Sequence, residues 1–348
     1  MMGFRRATDV VPMRTCRSET RMQPCDDRYR ETRRRHVIKL IASVCLIKAP
    51  NANAQQRLLG ALTPFVGAPP DAGLRNWLRD FNYPEAESQE ILALGSNGND
   101  ELLPKLAVDL VARKPAVIIA WGDAAARAAQ AATKSIPIVV MTDDLAGAGL
   151  VASMSRPGGN MTGVNVLATE LDAKRLEFLA LIVPARSTVM VLADAVSPPL
   201  SRPGLRRTAS ELGLTLVEEI ARTRQDMERL LLGARRRGIA GVNILASPVF
   251  FNYSDDLIAW TNAARLPAIF EWGFLADVGA LIGYGPLFEP LYRRLINQVM
   301  GLLRGGKVAD FPVEQPTLFE LVVNLKTAKA SGIEIPALLM LRADRVIR

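Results

Sequence analysis

Between Lys114 and Asn165 the chain alternates apolar runs with polar breaks in a pattern that predicts a β-α-β unit. Residues 116–121 (AVIIAW) form a continuous apolar run between Pro115 and Gly122, as expected of a strand buried on both faces. An alanine-rich helix is expected from Asp123, read as its N-cap, to about Thr133. Pro137 opens a second apolar run over 138–141, which stops at Thr142-Asp143-Asp144. Such units build parallel sheets whose ligand crevices lie at the strand C-terminal ends. The device recurs about 125–130 residues later as strand 239–246, loop Ser247-Pro248, helix 253–264 and strand 266–270, ending at Glu271-Trp272.

The rest of the pattern extends the repeat. Strand 58–63 is followed by a helix with Leu74, Trp77, Leu78 and Phe81 on one face. Strand 87–94, the polar turn 95–100 and helix 101–113 lead into the central unit, and Pro157-Gly158-Gly159-Asn160 turns the chain into strand 162–166. After an amphipathic helix over 171–181, strand 187–193, helix 200–212, strand 214–220 and helix 225–237 form a second series, with Gly213 and Gly238 ending the two helices. Each series reads β-α-β-α-β-α-β, and residues 281–285 stand in the second where 161–165 stand in the first. Two such series imply an α/β chain of two Rossmann-like lobes with parallel sheets. The tail, with helix 287–303, strand 318–324 and short helices over 325–331 and 336–341, returns to the lobes after both are built, which implies inter-lobe crossovers. The expected division is 1–54 as leader, 55–166 plus about 283–310 as the first lobe, and 167–282 plus about 311–348 as the second.

Charge and cysteine change the picture mainly at the N-terminus. Of 43 Lys+Arg and 35 Asp+Glu, 12 and 5 fall in residues 1–54, leaving 31 against 30 in the body. The near-neutral body gives no electrostatic argument for nucleic acid. Cys16, Cys25, Cys45 and the one histidine, His36, all lie in the leader. The body therefore has no means to build a thiolate or imidazole metal site, a cysteine nucleophile or a Ser-His-Asp triad. No metal and no cofactor is expected. Arg33-Arg34-Arg35-His36-Val37-Ile38-Lys39, the short apolar run 40–47 and Asn51-Ala52-Asn53-Ala54 before Gln55 read as an export signal, with a twin-arginine-like character. The apolar run is too short to span a bilayer.

Certain stretches are more specific. Residues 114–120 (KPAVIIA), 135–139 (SIPIV), 149–153 (GLVAS), 156–163 (RPGGNMTG), 284–286 (YGP) and the tail 315–317 (QPT) with 319–328 (FELVVNLKTA) together resemble the periplasmic substrate-binding proteins of ABC transporters, in the subgroup that includes tryptophan-binding members. The resemblance covers about 57–348 and implies a type I periplasmic-binding fold with a ligand in the cleft. It also implies a periplasmic location, a small-molecule solute, an ABC permease of the inner membrane as partner, and no catalysis. A monomer without nucleic acid is expected. The sequence departs from the usual family pattern at Thr142-Asp143-Asp144-Leu145 and Ser247-Pro248, both at the expected cleft.

Strand ends nominate the site. In the first lobe these are Thr63, Phe65, Trp121, Gly122, Thr142, Asp143 and Asn165; in the second, Asp194, Ser247, Pro248, Glu271, Trp272, Tyr284 and Gly285. Asp143, Asp194 or Glu271 would take an ammonium group, and Trp121, Trp272 and Tyr284 would offer flat apolar walls. This set fits an amino acid or similar solute captured by hinged closure. Two other readings stay open: a two-lobe Rossmann enzyme acting on nucleotide sugars, and a ligand-sensing input domain for a membrane partner.

Overall fold

The computed structural model describes residues 57–64, 70–83, 89–195 and 203–348. The expected leader and Phe65 lie outside the described residues. The first lobe is formed by β1 (Leu59–Thr63), α1 (Pro70–Asp80), β2 (Ile91–Gly95), a 3₁₀ turn (Asp100–Leu102), α2 (Leu103–Ala112), β3 (Val117–Trp121), α3 (Gly122–Ala132), β4 (Ile138–Thr142) and β5 (Met161–Asn165). Its sheet is wholly parallel, in the order β2-β1-β3-β4-β5. The three inner strands and β5 are buried at every position, whereas the edge strand β2 is half-buried throughout. Burial on both faces is why these strands appear in the sequence as unbroken apolar runs. Ala125, Ala126, Ala128 and Ala129 of α3 are buried, since small side chains let this helix lie close to the sheet.

The second lobe follows as α4 (Ala168–Ala180), β6 (Thr188–Asp194), α5 (Pro203–Glu211), β7 (Thr215–Ala221), α6 (Arg224–Gly233), β8 (Ile239–Ile244), α7 (Pro248–Asn252), α8 (Ser254–Ala263), β9 (Ala268–Phe270), a 3₁₀ turn (Gly273–Val278) and β10 (Ile282–Pro286). The tail adds α9 (Phe288–Leu303), β11 (Phe319–Asn324), α10 (Leu325–Ser331), α11 (Ala337–Arg342) and β12 (Arg345–Ile347). The second sheet runs β12-β11-β10-β9-β8-β6-β7, with β11 antiparallel to β10 and every other pairing parallel.

The chain passes between the sheets three times, after β5, after β10 and ahead of β11. Helix α9 packs on β3, β4 and β5 of the first sheet, although β10 just before it is in the second. Residue 314 then runs parallel beside β5, bridging Val164, before the chain leaves for β11. The crossings are tied together. The Asp143 carboxylate accepts the Thr169 backbone N–H at 3.0 Å, and Leu287 N–H donates to Leu318 O at 2.9 Å. Arg294 of α9 donates to Gln315 O at 3.0 Å and to the Thr317 hydroxyl at 3.0 Å.

Several local expectations change. Asp123 is not the N-cap of α3. That place belongs to Trp121, which makes no side-chain cap, and Asp123 in the first turn accepts the Thr142 hydroxyl instead. A partner on β4 outcompetes the local cap. The helix expected over 225–237 stops at Gly233 and tightens into a 3₁₀ turn, Arg235–Arg237, closed by left-handed Gly238. Strand β12 carries no run long enough to announce itself. Its Arg345 is clamped by Asp277 at 2.7 and 2.8 Å, with Glu320 at 3.3 Å, so tertiary contacts order it.

Candidate functional site

Residues after strands of the two sheets meet at one contact, and charges at the strand ends influence each other at two more places. Nearest the crossovers, Arg175 of α4 feels both Glu271 after β9 and Asp143 after β4. In the middle, Gly122 after β3 meets Pro248 after β8; a Cβ on Gly122 would lie 3.2 Å from the Pro248 Cγ. Farthest from the crossovers, Asp100 after β2 feels Asp194 at the end of β6. Gly122 has φ +79, a conformation glycine adopts at no steric cost.

In the second lobe, Asp194, Ser247 and Glu271 form one connected group. The buried Ser247 hydroxyl donates to Asp194 and caps α7 by accepting the Val249 N–H at 3.0 Å. Burial pushes the Glu271 carboxyl up to about 8, against the pull of Arg175, a hydrogen bond from the Trp272 side chain and the Ser247 backbone N–H; Asp194 adds to the rise. Its surroundings explain the desolvation, since it shares a small cavity with Ile244, Leu245, Phe250, Phe251, Phe270 and Leu275.

Arg175 is 1% exposed. It donates to Tyr284 O at 3.1 Å and Ala168 O at 3.0 Å and pairs with Asp172, while its Nε has no partner. Burial lowers the guanidinium to about 10, so it stays charged at neutral pH. The nomination from strand ends missed this residue. The signal was present in α4, where Asp172 and Arg175 fall on the same stripe as buried Leu171, Leu176 and Leu179. An ionised pair at i and i+3 on an apolar stripe marks a buried, paired charge.

The two tryptophans at strand ends belong to an aromatic layer that spans the lobes. Trp77 of α1 packs on Phe288 and Tyr292 of α9 at ring-centroid distances of 5.4 and 4.8 Å. Phe288 in turn meets Trp272 at 5.3 Å and Phe274 at 5.4 Å. Trp121 hydrogen-bonds the Tyr292 hydroxyl, and burial holds that phenol well above its ordinary range.

Other nominated residues have structural duties. Thr63 is fully buried at the end of β1, where its carbonyl accepts the Ser96 N–H at 2.9 Å. Thr142 donates to Asp123. Asn165 holds the loop after β4 by accepting the Leu145 N–H at 3.0 Å. The Tyr284 ring does not stand as a wall among the strand-end carboxylates. It packs edge-on against Phe178 at 4.8 Å, among Lys174, Glu177 and Asp344. Alternation along β10 explains this, because Gly283 and Gly285 take the opposite face and lie so close to the Trp272 and Glu271 carbonyls that a Cβ would sit 2.2 and 1.9 Å away. Gly285 is thus a packing requirement of the strand end.

This architecture and a sequence match agree. The family described as ABC transporter substrate binding protein matches residues 70–347. The chain belongs to that family. Among relatives of this substrate-binding protein, a tyrosine-binding protein of Clostridioides difficile (strain R20291) is 25% identical over 269 residues, 74% of each chain. Two solved structures share the fold. A conserved domain protein of Vibrio cholerae has TM-score 0.73 and 23% identity, over 84% of this chain and 100% of that one. An ABC domain in complex with L-Trp from Streptococcus pneumonia has TM-score 0.71 and 20% identity, with the same coverage. Among the described residues of the substrate-binding protein, no helix is long and apolar enough to cross a membrane, and no group of three or more His, Cys, Asp or Glu is placed to hold a metal.

Proposed function

We propose that the protein is the exported solute-binding component of an ABC importer and that it captures an amino acid between its lobes. The observation that carries this reading is the connected group of Asp194, Ser247 and Glu271 in the second lobe, beside Pro248, which meets Gly122 of the first. A free amino acid needs acceptors for its ammonium group, donors for its carboxylate and an apolar surface for its side chain. Asp194 supplies the first. Backbone N–H groups near Gly122 supply the second, and Trp121, Trp272 and their aromatic neighbours supply the third. The tyrosine and L-Trp named with two similar proteins favour an aromatic side chain.

The mechanism is closure rather than chemistry. A solute that touches both lobes binds the shut form better than the open one and shifts the population toward it. Rotation between lobes would be taken up at the three crossings, one of which carries Leu167 at φ +59. An ABC permease would recognise the shut form and release the solute by holding the lobes apart. The protein would act as an extracytoplasmic monomer.

The test is a thermal-shift and calorimetric panel of the twenty amino acids, small carboxylates, sugars and nucleotide sugars. A ligand at about 100 times its Kd adds about 2.7 kcal/mol of stability, which is readily seen. Stabilisation by one or more amino acids supports the reading. A response confined to nucleotide sugars overturns it in favour of an enzyme.

A further inference from the structure

Phe288 stands where the chain crosses from β10 to α9, and its ring touches aromatic rings of both lobes. It is the first residue of α9. On the first-lobe side its ring centroid lies 5.4 Å from Trp77 and 5.3 Å from Tyr292. On the second-lobe side it meets Trp272 at 5.3 Å and Phe274 at 5.4 Å, with interplanar angles of 87° and 69°. Edge-to-face pairs with centroids about 4.5–7 Å apart are a favoured arrangement of aromatic rings.

Each side of this contact is fixed to its own lobe. Helix α9 packs on β3, β4 and β5, and its Gln298 amide donates to Gly163 O at 3.3 Å. It is also tied to α1, through Trp77 against Tyr292 at 4.8 Å and Arg293 over the Phe81 ring at 4.2 Å. Phe288 therefore moves with the first lobe. The turn Gly273–Val278, which carries Phe274, packs on β10 and β11. Asn324 of β11 donates to Ala276 O at 2.8 Å, and Arg345 of β12 pairs with Asp277 at 2.7 Å. Trp272 and Phe274 therefore move with the second lobe. The two edge-on contacts of Phe288 cross the seam between the lobes. A gap of about 1 Å already forfeits up to about half of such an attraction, so a small rotation weakens both.

We propose that Phe288 is a positioning residue that holds the two lobes in the shut arrangement by clasping Trp272 and Phe274. The clasp rests on the solute-binding reading above and names what the protein itself contributes to closure. Each aromatic pair favours contact by about two- to tenfold, so the two together bias the lobes toward the shut form before any solute arrives. A solute that binds the shut form then finds more of it present and leaves it more slowly. Removing the ring lowers the shut fraction and speeds escape of the bound solute. Strand ends alone did not nominate Phe288, because it lies past β10 at the head of a helix.

The experiment compares the full chain with its Phe288→Ala, Phe288→Leu and Phe274→Ala variants and the double alanine variant. Melting temperatures check that each is folded; Phe288→Leu keeps apolar bulk without the ring and carries the comparison if Phe288→Ala does not fold. Spin labels at Lys105→Cys of α2 and Arg207→Cys of α5, both exposed, report the lobe separation. Cys16, Cys25 and Cys45 are changed to serine in that background so that only these two positions are labelled. Stopped-flow mixing with L-tyrosine and L-tryptophan reads association and dissociation. In the free protein Phe288→Ala should cut the short-distance population about threefold or more. It should raise the dissociation rate about three- to tenfold and leave association within about twofold. Phe274→Ala should act in the same direction, and its effect should shrink when Phe288 is already alanine, because the two share one contact. An unchanged distance distribution in Phe288→Ala, or fully additive effects of the two substitutions, overturns the clasp while the solute-binding reading stands. If neither amino acid binds wild type, the aromatic amino-acid reading falls, and the distances in the free proteins still decide the clasp.

Discussion

Pro248 closes directly over Gly122, with its Cγ 3.2 Å from where a Cβ on residue 122 would stand. This contact joins the loop after β8 in one lobe to the first residue of α3 in the other. It uses the two features that make each residue unusual: a ring without a backbone N–H, and a backbone at φ +79 with no side chain. Ser247 just ahead of it is fixed by Asp194, so the ring's position follows from the strand ends of the second sheet.

Gly122→Ala should act twice. The left-handed backbone costs a non-glycine residue about 1–2 kcal/mol, which urea unfolding of the free protein would register. The added methyl meets Pro248 only while the lobes are together, so solute affinity should fall severalfold beyond the stability loss. Calorimetry on the variant reads that second effect. An unchanged affinity would show that the bound form does not use this contact.

Glu271 should make the protein less stable as pH rises. Its folded value of about 8 exceeds the ordinary 4.5, so the folded state keeps a proton that the unfolded chain has lost over that window. Its contribution is fully present below about 4.5 and is lost as pH rises through about 8. Burial raises this value most and Asp194 adds to the rise, while Arg175, the Trp272 side chain and the Ser247 N–H oppose it. Melting curves at pH 5 and pH 8.5 should differ in wild type by on the order of a few kcal/mol and much less in Glu271→Gln.

Arg175→Met should be severely destabilising. It leaves buried Asp172 without its ion pair and takes a donor from Tyr284 O, a loss of about 3–5 kcal/mol for a broken buried pair. Arg175→Lys keeps the charge but lacks the fork that reaches two carbonyls and a carboxylate, so it should fall between the two. Urea denaturation of the three proteins orders them. Equal stability of Met and Lys variants would mean that packing, not charge, is what Arg175 supplies.

Tyr292→Phe removes the hydroxyl that accepts from Trp121. The expected cost is about 1–3 kcal/mol, the range for removing one partner of a buried hydrogen bond. Because Trp121 ends β3 beside Gly122, its indole N–H resonance, assigned by its loss in Trp121→Phe, should shift in the free variant and again on solute addition. A silent Trp121 signal in both cases would separate this side chain from the cleft.

The two-lobed plan was legible in the chain because parallel strands covered on both faces must be apolar at every position, as in 117–121 and 138–141. The strand ends were legible for the same reason, since the first polar or aromatic residue after such a run marks where the sheet stops. That rule located Trp121, Thr142, Asp194 and Glu271 without any knowledge of their neighbours, whereas β8 stops at Ile244 and Ser247 caps the helix that follows. Tertiary structure alone decided what those ends touch. Alternation places Tyr284 opposite Gly283 and Gly285, but only the packing of β10 on residues 271–273 settles which face looks outward. Asp123 reads locally as a cap and became a partner of Thr142 because β4 lies beside β3. Arg175 lies on the buried stripe of α4 in the sequence, but its reach to the Tyr284 carbonyl follows only from how α4 meets β10. Periodicity records which side of an element is buried, whereas the meeting of charges from two lobes depends on how the finished sheets face each other.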